Sequence, residues 1–392
     1  MSAMGSQATM TAVRRIGDIE LLRGLAVLGI LVHHSQGGLL AWSTPALDRF
    51  HAYFNLGHTL DLFFAISGFV IARDLIPKVQ DGGADRVGFF RLAIGFWIRR
   101  AFRLLPSAWI CLVCIALLSL LFNQSNAFGS FRSNFAGAIA AMLQVANMHY
   151  AINAFSELGM GVTYHFWSLS LEEQFYLALP FMLFFGGRAF PWLAAALVLV
   201  QLLSVRPGGG FVLYTWMFRT DALFLGVLLA WWSRGEVYRL FEPVFLRSRA
   251  WARWFTLAFL CGALATVGSD ALRIVEYRLS IVAVLAALIV FVASWDRDYL
   301  MAPGAIKRFF MWLGSRSYSV YLWHLPVYSL VRELAFRYAR SHGMVFDPSH
   351  TWLFVAAAAL LLLAVSECNF RLVESPLRRA GISAAQRWTA SA

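Results

Sequence analysis

Apolar stretches of membrane-crossing length recur along the whole chain: 19–41, 56–75, 104–122, 133–148, 169–187, 189–205, 211–232, 251–268, 275–295, 315–335 and 351–373. A helix rises about 1.5 Å per residue, so about 20 such residues cross a hydrocarbon core of about 30 Å. The polar positions between the stretches are short and rich in arginine, and no long polar segment stands apart as a soluble domain. The pattern predicts an all-α polytopic membrane protein folded as one bundle. It divides into an N-terminal cytoplasmic segment (1–15), a transmembrane domain (16–379) and a loosely ordered cytoplasmic tail (380–392). Arg14 and Arg15 precede the first stretch, which is too long for a signal-peptide core and is expected to be retained.

The connections set the topology. Basic residues crowd 77–103 (Lys78, Arg86, Arg91, Arg99, Arg100, Arg103), 233–253 (Arg234, Arg239, Arg247, Arg249, Arg253), 296–316 (Arg297, Lys307, Arg308, Arg316) and the C-terminus (Arg371, Arg378, Arg379, Arg387). Arg49 stands alone in 42–55, and Arg132 alone in 123–168. Positively charged loops stay cytoplasmic, and eleven spans would turn 233–253 outward. Leaving out 133–148, the weakest stretch, gives ten transmembrane helices with both termini cytoplasmic. Residues 123–168 then form a long outer connection, with Arg337 and Arg340 as the residual misfit.

Composition agrees. The chain is 60% hydrophobic and 14% charged with a mean hydropathy of +0.64, against about 25% charged in soluble domains. A net charge of +12 suits membrane lipid headgroups, and no nucleic-acid motif accompanies it. Cys111 and Cys114 form a CxxC inside an apolar helix without a second ligand pair, so no metal is expected.

Candidate chemistry lies where polar groups interrupt apolar stretches. Arg23 and His34 are eleven residues apart; at about 100° per residue they share a helical face, about 16 Å apart in rise. Ionisable groups held within the membrane point to a polar site, and an imidazole suits acid–base work. His33 points about 100° away and is the lesser candidate. Arg100 and Arg103, beside Arg99, lie one turn apart and can grip a phosphate, or serve only as an inner-face anchor. The run Trp167-Ser168-Leu169-Ser170-Leu171-Glu172-Glu173-Gln174-Phe175-Tyr176 puts two carboxylates near a helix head, as dipole-stabilised acids or as partners for a histidine or sugar hydroxyl. Asp61, Arg219, Asp221 and His324 are further intramembrane groups, suited to buried pairing or to lining a cavity. The His342…Asp347 spacing is read as chance, and no nucleophile elbow, phosphate loop or dinucleotide fingerprint appears.

Taken in order, these segments resemble the acyltransferase-3 family of membrane O-acyltransferases. Arg23 and His34 match its R-x10-H signature, and Asp61-Leu-Phe-Phe-Ala-Ile-Ser67-Gly68-Phe its DLFFxxSGF segment. Arg100-Ala-Phe-Arg103 matches its RxxR element, and the Trp167–Tyr176 run its WSLxxEEQFY box. Arg219-Thr-Asp221-Ala-Leu-Phe-Leu-Gly226, Tyr318–His324 and Val373-Glu374-Ser-Pro376 complete the series across about 16–379.

The resemblance implies transfer of an acyl group, most often acetyl, from cytoplasmic acyl-CoA to a hydroxyl of a cell-surface glycan or glycolipid. The setting would be the bacterial cytoplasmic membrane, with no permanently bound cofactor. Arg99, Arg100 and Arg103 would take the CoA phosphates. His34 would act as general base or carry the acyl group, with Arg23 beside it and Glu172 or Asp61 orienting the ring. Trp167, Ser168, Glu173, Tyr176, Arg219, Asp221, His324 and His33 would support the acceptor side. Some members carry an outer SGNH domain; none appears in this sequence, so direct delivery or a separate partner is expected. A glycan or lipid carrier would use similar intramembrane charges, although no internal repeat supports one.

Overall fold

The computed structural model describes residues 16–81, 85–153, 161–204, 219–269, 271–272 and 276–390. The 1–15 segment, residues 211–218 of the 211–232 stretch, residue 275 of 275–295 and the last two residues of the tail lie outside these. Among the described residues the regular structure is helical, with no strand.

The main helices are α1 (Gly17–His33), α2 (Thr59–Ile76), α3 (Arg86–Leu121), α4 (Phe131–Met142), α5 (Ala146–Asn153), α6 (Phe166–Gly186), α7 (Phe190–Leu203), α8 (Asp221–Trp232), α9 (Ala250–Val267), α10 (Arg278–Ser294), α11 (Ala305–Ser315), α12 (Ser317–His342), α13 (Thr351–Asn369) and α14 (Ser375–Ala390). Among the described residues, four helical stretches are long and apolar enough to cross a membrane: Arg86–Leu121, Val162–Leu203, Ala250–Val267 and Pro348–Ala390. Their outward faces carry large apolar side chains such as Leu121, Trp192, Val200, Phe255 and Leu360, as contact with lipid requires. Helices α1, α2 and α12 fall outside that set: α1 has 17 residues, and all three carry polar or charged positions, among them Glu20 and Arg23, Asp61 and Asp74, and His324, Arg332 and Glu333. The candidate site draws on both groups, with Arg100 and Arg103 on α3 and Glu172 on α6 from the apolar set, and Arg23 and His324 on α1 and α12.

Close backbone approach holds the centre together. A Cβ on Gly68 of α2 would meet the Leu223 carbonyl of α8, and one on Gly226 would meet the Ala65 carbonyl of α2. Helices in lipid associate largely through such small-residue contacts. Helix α4 has 12 residues, a rise of about 18 Å, which is short of a bilayer. It packs on α3, and α5 packs on α6.

The C-terminus departs from expectation. In place of a loose tail, α14 lies along α3, with Gly381 against Phe102 and Gly95 against Thr389. The 380–392 stretch has too few apolar residues to read as a span, yet small residues let it dock on a partner helix. Nearby, Lys307 of α11 bonds Asp18 and reaches Asp298 at 2.5 Å, while Asp18 accepts Tyr299 N at 3.1 Å. Burial disfavours the Lys307 charge, but hydrogen bonds to Asp18 and Asp298 and their charges outweigh it, holding the ammonium above its usual range.

Candidate active site

Two cavities meet inside the bundle. The wider, about 260 Å³, is lined by Arg73 and Asp74 of α2, Arg99 of α3 and Arg378 of α14. The narrower, about 90 Å³, lies among Ser168, Glu172, Glu173 and Tyr176 of α6 and Tyr318 and Tyr321 of α12. Arg23, Arg100 and Arg103 line both and form the neck between them. The expected pairing of Arg100 with Arg103 across one turn of α3 thus holds in space, and Arg23 joins them from α1. The Arg100 guanidinium lies 4.6 Å from the Tyr176 ring centroid, a cation–π contact. Arg23 stands 3.7 Å from Glu20. The buried Nε of Arg103 has no hydrogen-bond partner among the described residues, so an anion in the neck would satisfy it.

Beyond the neck, Tyr176 donates its hydroxyl to Glu172, one turn earlier on α6. At the far end Ser168 Oγ and the Tyr321 hydroxyl are 2.7 Å apart, and Tyr321 donates to the His165 carbonyl at 3.0 Å. Trp167 is buried edge-on against Phe64 rather than lining the chamber.

A histidine group continues this line. His34 caps the C-terminal end of α1, and its Nδ1 lies 2.8 Å from Nε2 of His324. Nδ1 of His324 faces its own helix, 2.5 Å from the Tyr321 carbonyl. A carbonyl oxygen only accepts, so Nδ1 of His324 carries the proton and its Nε2 is the acceptor. His34 must then donate from Nδ1, which leaves an unprotonated lone pair on its Nε2. Nothing among the described residues hydrogen-bonds that nitrogen. The His33 and Tyr164 rings flank His34 at 5.1 and 5.6 Å. His165 stands 5.3 Å from His324, ring to ring.

Asp61 is placed elsewhere. It is buried in a forked contact with Arg219, whose Nε is 2.8 Å from one carboxylate oxygen. Arg219 also donates to Nδ1 of His58 at 3.0 Å, and His58 in turn donates from Nε2 to the Gly268 carbonyl at 3.1 Å. The imidazole of His34 is therefore oriented by His324, not by Asp61 or Glu172. Arg219 precedes α8 rather than lying within it, and Asp221 is buried in the first turn of that helix, where its charge suits the dipole.

Sequence pattern does not single out Arg73, Arg378 or Tyr321. Arg73 lies near the end of the 56–75 stretch and Arg378 in the basic C-terminus, neither at a spacing that ties it to a site, and Tyr321 is one of several aromatics in the Tyr318–His324 segment. Cys111 donates to the Leu322 carbonyl at 3.3 Å, Asp347 caps the turn Pro348–His350, and no metal-binding group occurs among the described residues.

Comparison with known proteins places this arrangement. The chain is 26% identical over 405 residues to a putative O-acetyltransferase of Staphylococcus aureus (strain COL), covering 95% of this chain and 59% of that protein. It is 26% identical over 403 residues to the peptidoglycan O-acetyltransferase OatA of Listeria monocytogenes, covering 96% and 58%. A putative peptidoglycan O-acetyltransferase of Bacillus subtilis (strain 168) is 27% identical over 403 residues, covering 95% and 56%. The chain thus spans under three-fifths of the length of these relatives. No solved structure matches it. Residues 16–366, from the start of α1 well into α13 and so across the neck, the chamber and the histidines, match the acyltransferase domain of one family: this chain belongs to the acyltransferase-3 family.

Proposed function

We propose that the protein is an integral-membrane O-acetyltransferase, moving an acetyl group from acetyl-CoA to a hydroxyl of a cell-envelope glycan. One observation carries the reading: an arginine neck, a polar chamber and a histidine pair with a defined lone pair follow one another through the bundle. Peptidoglycan is the glycan class named for two of the relatives, and we take it as the acceptor class here.

The basic connections and the arginine-lined cavity support a cytoplasmic donor side. Ten spanning helices and cytoplasmic termini follow from the same charge pattern, and the bacterial relatives favour the cytoplasmic membrane of a bacterium. Arg337, which stands against that pattern, is 2.7 Å from buried Glu333 and 3.8 Å over the Phe122 ring, so its charge is balanced locally.

Arg100, Arg103 and Arg23 hold donor phosphates in the neck. Arg23, grouped with His34 by sequence, sits about 16 Å short of it along α1 and so acts on the phosphate end. The pantetheine arm runs through the chamber towards His34. There Nε2 of His34 takes the acceptor's hydroxyl proton as the oxygen attacks the thioester carbonyl. The tetrahedral intermediate collapses to the ester, expelling the CoA thiolate, which receives that proton. Acetyl is the group named for the relatives' activity, and we take it as the acyl group here.

The test is transfer from radiolabelled acetyl-CoA in membranes containing the protein or His34→Ala at equal abundance. Label entering a glycan fraction, and lost in the variant, is the expected result. Full transfer by His34→Ala removes the base assignment. Absence of transfer together with failure to bind CoA removes the acyltransferase reading and favours a carrier.

A further inference from the structure

The wider cavity holds more positive charge than a gripped diphosphate requires. Six guanidinium groups line it, Arg23, Arg73, Arg99, Arg100, Arg103 and Arg378, against two carboxylates, Glu20 and Asp74, a formal excess of four positive charges. The carboxylates are already engaged: Glu20 with Arg23 at 3.7 Å, Asp74 with Lys78 at 2.5 Å and Arg99 at 3.9 Å. Glu172 and Glu173 of the chamber and buried Glu374 face the neck arginines and offset part of this excess; a polyanion in the wider cavity would offset the rest.

The arginines fall into two tiers. Arg23, Arg100 and Arg103 touch both cavities, whereas Arg73, Arg99 and Arg378 touch only the wider one. Coenzyme A has its phosphates in a matching order, with the diphosphate next to the pantetheine arm and the 3′-phosphate beyond it on the ribose. With the thioester directed into the chamber, the diphosphate meets the neck and the 3′-phosphate falls among the outer three. We propose that Arg378 of the C-terminal helix, with Arg73 and Arg99, forms a subsite for the 3′-phosphate of the acyl-CoA donor. This rests on the acyltransferase reading and extends it to α14, which thereby becomes a wall of the donor site. The docking of α14 on α3 through Gly381 is what brings Arg378, one turn before that glycine, over the cavity.

The same arginines would suit an anionic lipid headgroup, and the choice of donor separates the two. In the full-length protein, Arg378→Ala and Arg73→Ala are compared with wild type on acetyl-CoA and on its 3′-dephospho form. A lost charge-assisted contact is worth about tenfold or more in affinity. The expected result is a rise of about tenfold in KM for acetyl-CoA in each variant, with kcat unchanged and partial rescue by Arg378→Lys. For the dephospho donor, wild type and variants should have equal KM. Equal losses on both donors overturn the subsite and indicate a structural role; no loss on either indicates a lipid anchor. If wild-type protein neither binds nor uses acetyl-CoA, the acyltransferase reading falls, and the subsite with it.

Discussion

Replacing His324 by leucine isolates what the second histidine does for the first. The substitution removes the acceptor 2.8 Å from Nδ1 of His34 and leaves the arginine neck untouched. His34 then gains freedom in tautomer and ring orientation, and the imidazolium formed during transfer loses its hydrogen bond. A hydrogen bond to a charged group is worth about 1.5–3 kcal/mol, and each 1.36 kcal/mol is about tenfold in rate. The expected fall in kcat is therefore about 10- to 150-fold, with KM for acetyl-CoA unchanged. His324→Gln carries an amide oxygen able to accept the same bond, and should keep most of the rate. The assay is initial transfer of labelled acetyl at saturating donor, normalised to folded protein. A leucine variant at wild-type speed, or a glutamine variant as slow as leucine, would refute the tautomer argument.

Other outcomes follow from the buried polar groups and the packing. Asp61→Asn or Arg219→Leu alone leaves an uncompensated buried charge and should cost about 3–5 kcal/mol in thermal unfolding; the double variant should lie closer to wild type than either single one. Gly226→Leu forces a side chain into the Ala65 carbonyl and should cost about 1–3 kcal/mol or more, whereas Gly262, with open space around it, should accept alanine with a gain of about 0.5–1 kcal/mol. The raised Lys307 value stabilises the fold fully below the free amine's value of about 10.4, and the contribution is lost as pH rises through the folded value. Alkaline unfolding should therefore begin at lower pH in Asp18→Asn, measured by tryptophan fluorescence.

The sequence is explicit about what the membrane makes costly. His34 and Arg23 stand out because charge in an apolar stretch demands a reason, and Arg100 and Arg103 because they lie one turn apart at the edge of another; the neck and histidine pair supply the reason. Partner choice is less legible. Asp61 and Arg219 are separated by 158 residues, and no local spacing announces that they meet. The His34–His324 contact crosses 290 residues, so a carboxylate was the natural expectation for the orienting group. The C-terminal helix escapes notice because its binding face consists of glycine, alanine and threonine, which hydropathy scores as neutral. Its role depends on α3 being there to receive it.

Sidedness tests the central claim most directly. Protein is reconstituted in sealed vesicles, and labelled acetyl-CoA and a glycan acceptor are supplied on opposite faces. The account predicts acetylated glycan when the donor meets the arginine-lined face and the acceptor the histidine side, and none with His34→Ala. Product formed only when donor and acceptor share one face would contradict a transfer path running from the arginine neck to His34.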